Sequence, residues 1–115
     1  MHELGIVFHI IKQVEEIALS NQVREVKKVT LEIGEVSGVV PSYLEDCWKW
    51  ACQNRSEHMK TCELKIVVLS ASSYCEDCKE FYGTVKHGRT CPYCGGGNTY
   101  LVTGNETNIR DIQVI

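Results

Sequence analysis

Four cysteines set the tightest constraint on what this chain can become. Cys75 and Cys78 form one C-x-x-C pair and Cys91 and Cys94 a second, with twelve residues between the pairs. Each pair lets two thiolates converge from one tight turn. Two such turns facing each other give the tetrahedral four-sulfur cage that zinc favours. Gly95 and Gly96 suit the sharp backbone that follows the second pair. Four protein ligands leave no open coordination position, so a zinc held there is structural and not catalytic. A redox dithiol and an iron–sulfur cluster are the rival readings of paired cysteines. Two pairs at ribbon-like spacing argue against the dithiol.

Residues 71–104 carry six glycines and no long apolar periodicity. A metal must therefore do there what a core does elsewhere. Lys79, Lys86 and Arg89 cancel Glu76, Asp77 and Glu80, and four thiolates with one Zn²⁺ add a charge of about −2, a poor match to phosphate and hence to nucleic acid. Tyr74, Phe81, Tyr82, Tyr93 and Tyr100 are expected to form a miniature core around the metal rather than a platform for bases. The whole chain, 115 residues with 43% apolar and 23% charged residues and a net charge of −3, has the balance of one folded domain. By the surface scaling law it buries roughly two-thirds of its unfolded surface, a real but small core.

The segments on either side are patterned. Leu4, Val7, Ile11, Val14 and Ala18 recur at helical spacing, with Phe8, Ile10 and Ile17 widening the stripe, so residues 3–21 are predicted to be a helix. Val29, Leu31 and Ile33 alternate with Lys28, Thr30 and Glu32, a strand over 26–35. Pro41 suits the first turn of a second helix, Ser42 with Glu45 resembles a capping box, and Leu44, Cys47, Trp48, Ala51 and Cys52 share a face. Residues 62–69 form a strand with Leu64, Ile66 and Val68 on one side, and the strand pattern returns after Asn105 with Ile112 and Val114 alternating against Asp111 and Gln113. The expected fold is α+β. A small mixed three-stranded sheet with two helices is built from 1–70 together with 105–115, and a four-cysteine zinc-ribbon-like module is inserted at 71–104.

The remaining cysteines, Cys47, Cys52 and Cys62, bring the total to an odd seven and are expected to be reduced and unpaired. No apolar run approaches the ~18 residues of a membrane span. The opening Met1-His2-Glu3-Leu4-Gly5 lacks a basic signal region, so a cytoplasmic protein is expected. There is no nucleophile–base motif, no phosphate loop and no H-E-x-x-H motif, so no enzyme is expected.

His2 admits two readings. It is a solvated histidine ahead of a helix, or it is a chelator. The α-amine, the backbone nitrogen of residue 2 and the imidazole Nδ1 can close two adjacent chelate rings and fill three corners of a square plane, a geometry for Ni(II) or Cu(II) and not for Zn(II).

One family shares these features in this order: Met1-His2-Glu3 opening a helix; a strand ending Leu31-Glu32-Ile33-Gly34-Glu35; Gly38 and Pro41 before helix two; the two cysteine pairs, the second reading C-P-x-C-G from Cys91 to Gly95; and Gly104-Asn105-Glu106 before the last strand. Over essentially its whole length the chain resembles the HypA/HybF family, the nickel-incorporation proteins of nickel–iron hydrogenase maturation. The resemblance implies a nickel metallochaperone with His2 as the nickel imidazole, Met1 contributing its amine and Glu3 an amide or a supporting carboxylate. Cys75, Cys78, Cys91 and Cys94 match the family's structural zinc ligands, and the nickel is carried as cargo. The implied partners are the GTPase HypB and the hydrogenase large subunit, with urease maturation served in some organisms, and the implied state is a monomer or weak homodimer. The alternative is a zinc-ribbon adaptor that binds protein or nucleic acid without nickel.

Two positions depart from the family. The residue before the proline of helix two, often acidic, is Val40, which leaves Glu35, Glu45 or Asp46 to supply a carboxylate. The positions after the cysteine pairs, where some relatives have histidine, hold Lys79 and Gly95. His87 in the insert could reach toward His2 but reads more simply as a loop residue. His9 reads as structural or exposed, and His58, in the polar stretch 54–60, is given no role.

Overall fold

The computed structural model describes residues 3–115, so Met1 and His2 lie outside the described residues. The elements run α1 (Glu3–Ser20), β1 (Val26–Gly34), α2 (Pro41–Arg55), β2 (Glu63–Leu69), β3 (Ser72–Cys75), β4 (Phe81–Gly83), α3 (Thr84–His87), β5 (Thr99–Thr103) and β6 (Thr107–Val114). They form two three-stranded sheets, ordered β2-β1-β6 and β4-β3-β5. The fold is α+β. The chain divides into two compact units, one of Met1–Glu32, Val39–Val67 and Asn108–Ile115, the other of Ile33–Gly38 and Val68–Thr107.

The first unit packs α1 on α2 and puts β1 in the middle of its sheet. Val7 and Val14 of α1, Val26, Val29 and Leu31 of β1, Leu44 and Ala51 of α2, and Met59 are fully buried. The buried stripe of α1 is Ile6, Val7, Ile10, Ile11, Val14 and Ala18. It is rotated from the expected one, because Leu4 and Ile17 stay in solvent at 39% and 44% exposure while Ile6 turns in. In β1 the expected one-sided alternation fails at Thr30, which is buried with its neighbours Val29 and Leu31. Three consecutive buried residues mean that β1 is covered on both faces at this point. In β2 the alternation breaks at Val68, which is exposed, and in the edge strand β6 Val114 is exposed as well.

Helix α2 does not begin with the expected capping box. Its N-cap is Val40, which makes no side-chain cap bond, and Pro41 takes the first helical position. Ser42 is thus already inside the first turn, past the one place from which a hydroxyl can cap. The end of α2 is held instead by Glu15 of α1. Its Oε1 accepts hydrogen bonds from the Ser56 hydroxyl and, at 3.1 Å, from the His58 N–H, while its Oε2 lies 2.6 Å from His58 Nδ1. The Ser56 Oγ in turn accepts the Met59 N–H. His58, to which the sequence assigned no role, is half of this tie.

In the second unit β3 is central. Ser73 faces Tyr82 on β4 and Leu101 on β5, and Tyr74 faces Phe81 and Tyr100. Residues 33–38 pack into the same unit through two glycines. A Cβ at Gly34 would sit inside the Gly104 carbonyl group, and one at Gly104, where φ is +116°, would lie 2.5 Å from Ala71 Cα and Cβ. This close approach lets Gly34 N–H reach Glu106 O at 2.8 Å and Val36 N–H reach Gly104 O at 2.9 Å. Two carboxylates complete the junction: Glu35 Oε1 accepts Ala71 N–H and Glu106 Oε1 accepts Gly104 N–H, each at 2.7 Å.

Candidate metal centre

The two cysteine pairs sit on near-identical turns. Lys79 N–H closes back onto Cys75 O and Gly95 N–H onto Cys91 O, both at 2.9 Å. The residue closing each turn is left-handed, with φ 63° at Lys79 and 73° at Gly95. Cys75 ends β3, and its N–H is held by Glu80 O. Cys91 is fixed through its N–H on Gly96 O.

These turns bring four sulfurs together. Cys75 Sγ is 3.6 Å from Cys94 Sγ and Cys78 Sγ is 3.5 Å from Cys91 Sγ, with all four ligand atoms within 4.8 Å of one another. A Zn–S distance of ~2.3 Å in a tetrahedron demands sulfur–sulfur edges of about 3.8 Å. A disulfide would need ~2.05 Å, and all seven cysteines are free. The cage therefore fits a tetrahedral thiophilic ion without rebuilding. Among the described residues it is the one group of three or more His, Cys, Asp or Glu side chains close enough to hold a metal.

Hydrogen bonding tunes the thiols unequally. Burial pushes Cys78 up, the neighbouring thiols add to the push, and its thiol stands at about 12. Burial also opposes ionisation of Cys91, but the N–H groups of Cys94 and Tyr93 and the thiols of Cys78 and Cys94 outweigh it and bring that thiol down to about 7. The N–H groups thus favour the first thiolate at Cys91, and a bound ion would displace the remaining protons. Cys75 and Cys91 are buried, Cys78 is half-buried and Cys94 is exposed, so solvent reaches the cage from one side.

The miniature aromatic core expected around the metal is not there. Among the described residues the buried cluster of Cys75 and Cys91, with Cys78 packed against it, holds one aromatic side chain, Tyr82, whose hydroxyl donates to Gly88 O at 2.8 Å. Phe81, Tyr93 and Tyr100 are 58%, 67% and 52% exposed. Tyr74 stacks across the strands on Phe81 and Tyr100, with ring centroids 4.8 and 5.7 Å away. Strand parity explains this: Tyr74 lies between Ser73 and Cys75, which point inward, so the row it leads must point outward.

Of the residues expected around nickel, Met1 and His2 lie outside the described residues, and Glu3 opens α1. Glu3 Oε2 accepts the Val40 N–H at 3.1 Å, so the position before Pro41 lies beside Glu3 even though its side chain offers no carboxylate. Glu35, an alternative carboxylate, is occupied at Ala71. Glu45 and Asp46 are exposed on α2, as are His9 on α1 and His87 on α3, where His87 meets Tyr82 edge-on at 6.2 Å. Burial pushes Cys52 up to about 12 and Cys62 up to about 11, which makes them inert neutral thiols.

Fold and site together define a small α+β protein with a closed four-thiolate metal module and no helix, among the described residues, long and apolar enough to cross a membrane. The sequence profile of the family described as "Hydrogenase/urease nickel incorporation, metallochaperone, hypA" matches residues 1–114, and the chain belongs to that family. It is 35% identical over 115 residues to the hydrogenase maturation factor HypA of Geotalea uraniireducens, and 32% identical over 114 residues to that of Actinobacillus succinogenes, with 99% of each chain covered in both cases. The solution structure of the Ni metallochaperone HypA from Helicobacter pylori superposes with a TM-score of 0.76 at 26% identity, covering 100% of this chain and 98% of that one. The family is one of maturation factors, and its function lies in hydrogenase maturation.

Proposed function

We propose that this chain is a nickel metallochaperone. It binds Ni(II) through the His2 imidazole Nδ1, the backbone nitrogen of residue 2 and the Met1 amine, with Glu3 completing the plane through its amide or supporting it through its carboxylate. It passes the metal on during maturation of nickel–iron hydrogenase, and of urease where that enzyme is present. The observation that carries this reading is the family match over residues 1–114, which includes the His2-Glu3 pair. Residues 1–70 with 105–115 form the nickel-binding part and 71–104 the zinc part. Cys75, Cys78, Cys91 and Cys94 hold the zinc, which when bound cross-links the two turns and adds its binding energy to folding. The chain performs no covalent chemistry. It works in the cytoplasm, as a monomer or weak homodimer, with HypB and the hydrogenase large subunit as partners.

Loading nickel means displacing protons from the amine, the amide and the imidazole, so affinity falls as pH falls. The test is calorimetric nickel titration of zinc-loaded protein as wild type, as His2→Ala and as an N-terminally extended form. His2→Ala should abolish tight nickel binding and leave zinc content and fold intact. Equal nickel affinity in wild type and His2→Ala would falsify the site. A loss in His2→Ala but not in the extended form would retain His2 and remove the Met1 amine from the ligand set.

A further inference from the structure

A cleft of about 490 Å³ in the second unit has no part in metal binding. Its size is that of a small-molecule site, and its walls are chemically one-sided. Arg89 is its single charged residue, and no carboxylate lines it, although the surrounding segment carries Glu76, Asp77 and Glu80. The Arg89 guanidinium makes no ion pair with any described residue.

The hydroxyls of Ser73, Thr84 and Thr99 and a free amide accompany it. Ser73, only 3% exposed, shares a 2.7 Å hydrogen bond with Thr84. One of those two hydroxyls donates to the other, which leaves a second O–H to be given to a ligand. Thr99 spends its own proton on Arg89 O at 3.0 Å, which pins the Arg89 backbone. The Gly97 N–H is engaged by no described protein group, and the space beside its Cα is open. Val36 and Leu101 add apolar lining.

A guanidinium with a hydroxyl and a backbone amide is a receptor for an oxyanion. The lining decides which one: with one guanidinium as its single charge the cleft suits a singly charged carboxylate, and Val36 and Leu101 accept a short aliphatic group attached to it. We infer that this cleft binds a carboxylate carrying a short apolar side chain, with Arg89 as the anchoring cation. That chemistry is offered by a free aliphatic acid and by the C-terminal residue of another polypeptide. The inference does not depend on nickel.

Zinc-loaded protein is titrated with isovalerate, isovaleramide, N-acetyl-alanyl-leucine, its amide and inorganic phosphate, read by the NMR shifts of the Gly88, Gly97, Thr99 and Leu101 amides. The expected result is saturable shifts confined to these residues with the acids, and none with the neutral amides. Arg89→Gln should weaken binding about tenfold, the loss of one charge-assisted contact, with zinc content unchanged, while Lys86→Gln, outside the cleft, leaves it unaltered. Saturation by both acids supports the shared chemistry. Saturation by the peptide acid alone supports a chain terminus as the occupant. No saturable shift with either acid, equal binding of the amides, tighter binding of phosphate, or an unchanged affinity in Arg89→Gln would each overturn the assignment.

Discussion

Replacing Gly34 with alanine tests whether the glycine–glycine junction holds the second unit together. The added Cβ would lie inside the Gly104 carbonyl and 2.5 Å from Asn105 N, whereas ordinary contact begins at 3.4 Å. All of these are backbone atoms, so no flexible side chain can swing away. The segments must separate by about 1.4 Å to restore ordinary contact, more than packed interiors absorb without loss. Gly34 N–Glu106 O at 2.8 Å and Val36 N–Gly104 O at 2.9 Å would then exceed hydrogen-bond range, and Ala71 N–Glu35 Oε1 at 2.7 Å would be strained. At about 1 kcal/mol each, these three bonds amount to ~3 kcal/mol. Alanine returns ~0.4–1 kcal/mol by stiffening the unfolded chain. The net destabilisation is about 2–3 kcal/mol, or roughly a 10 °C fall in melting temperature for a domain of this size. The assay is thermal unfolding followed by circular dichroism, with hydrogen exchange at residues 36, 71 and 104. A change below ~0.5 kcal/mol, or unchanged protection at those amides, refutes the reasoning.

The other predictions concern the knuckles, the cage and the Glu15 tie. Gly95→Ala has open space for its methyl group but must hold φ near 73°, at a cost of ~1 kcal/mol, so zinc affinity by chelator competition should fall about fivefold. Lys79→Gly relieves the same strain in the first knuckle and should not weaken zinc binding. Cys75→Ala or Cys91→Ala should release zinc and strip hydrogen-exchange protection from 71–104, while α1 and α2 stay protected; a full zinc with unaltered exchange would refute this. Burial opposes the charge on Glu15, but Ser56 and His58 hold its carboxyl below the usual 4.5. A depressed carboxyl adds stability that is full above the unfolded value and fades as pH drops through the folded one. Glu15→Gln should therefore lower stability by about 1–2 kcal/mol at neutral pH, and its gap to wild type in urea unfolding should narrow below about pH 4.5.

Much of this architecture is legible in the residues, and the failures have identifiable causes. Helix α1 is long enough for its period to be clear, yet apolar residues flank the stripe on both sides. Whether Leu4 or Ile6 turns inward depends on neighbours that the helix itself does not contain. Thr30 could not be placed because burial on the second face of β1 depends on what packs over the sheet there, which is a long-range property. The outward aromatic row, by contrast, was within reach. Once Cys75 must face the metal, period-two alternation sends Tyr74 to the other face, and the strands beside it carry Phe81 and Tyr100 to the same side. The Glu15–Ser56–His58 tie had no local signal at all, since Glu15 is 41 and 43 residues from its two partners.

The cage illustrates how far spacing alone can reach. C-x-x-C states that two thiolates share a turn, and the fifth position of each motif states what closes it. Gly95 meets the left-handed requirement at no steric cost, whereas Lys79 meets it against its own preference. The two turns are therefore equivalent in geometry and unequal in energy. The strained turn carries Cys75, which β3 and the Glu80 carbonyl already hold in place, while the relaxed turn ends in the exposed Cys94. Rigidity imposed by the sheet on one side tolerates the costly residue there, and on the other side, where no strand holds the turn, the glycine lets the sulfurs keep tetrahedral spacing with only Tyr82 packed beside Cys91.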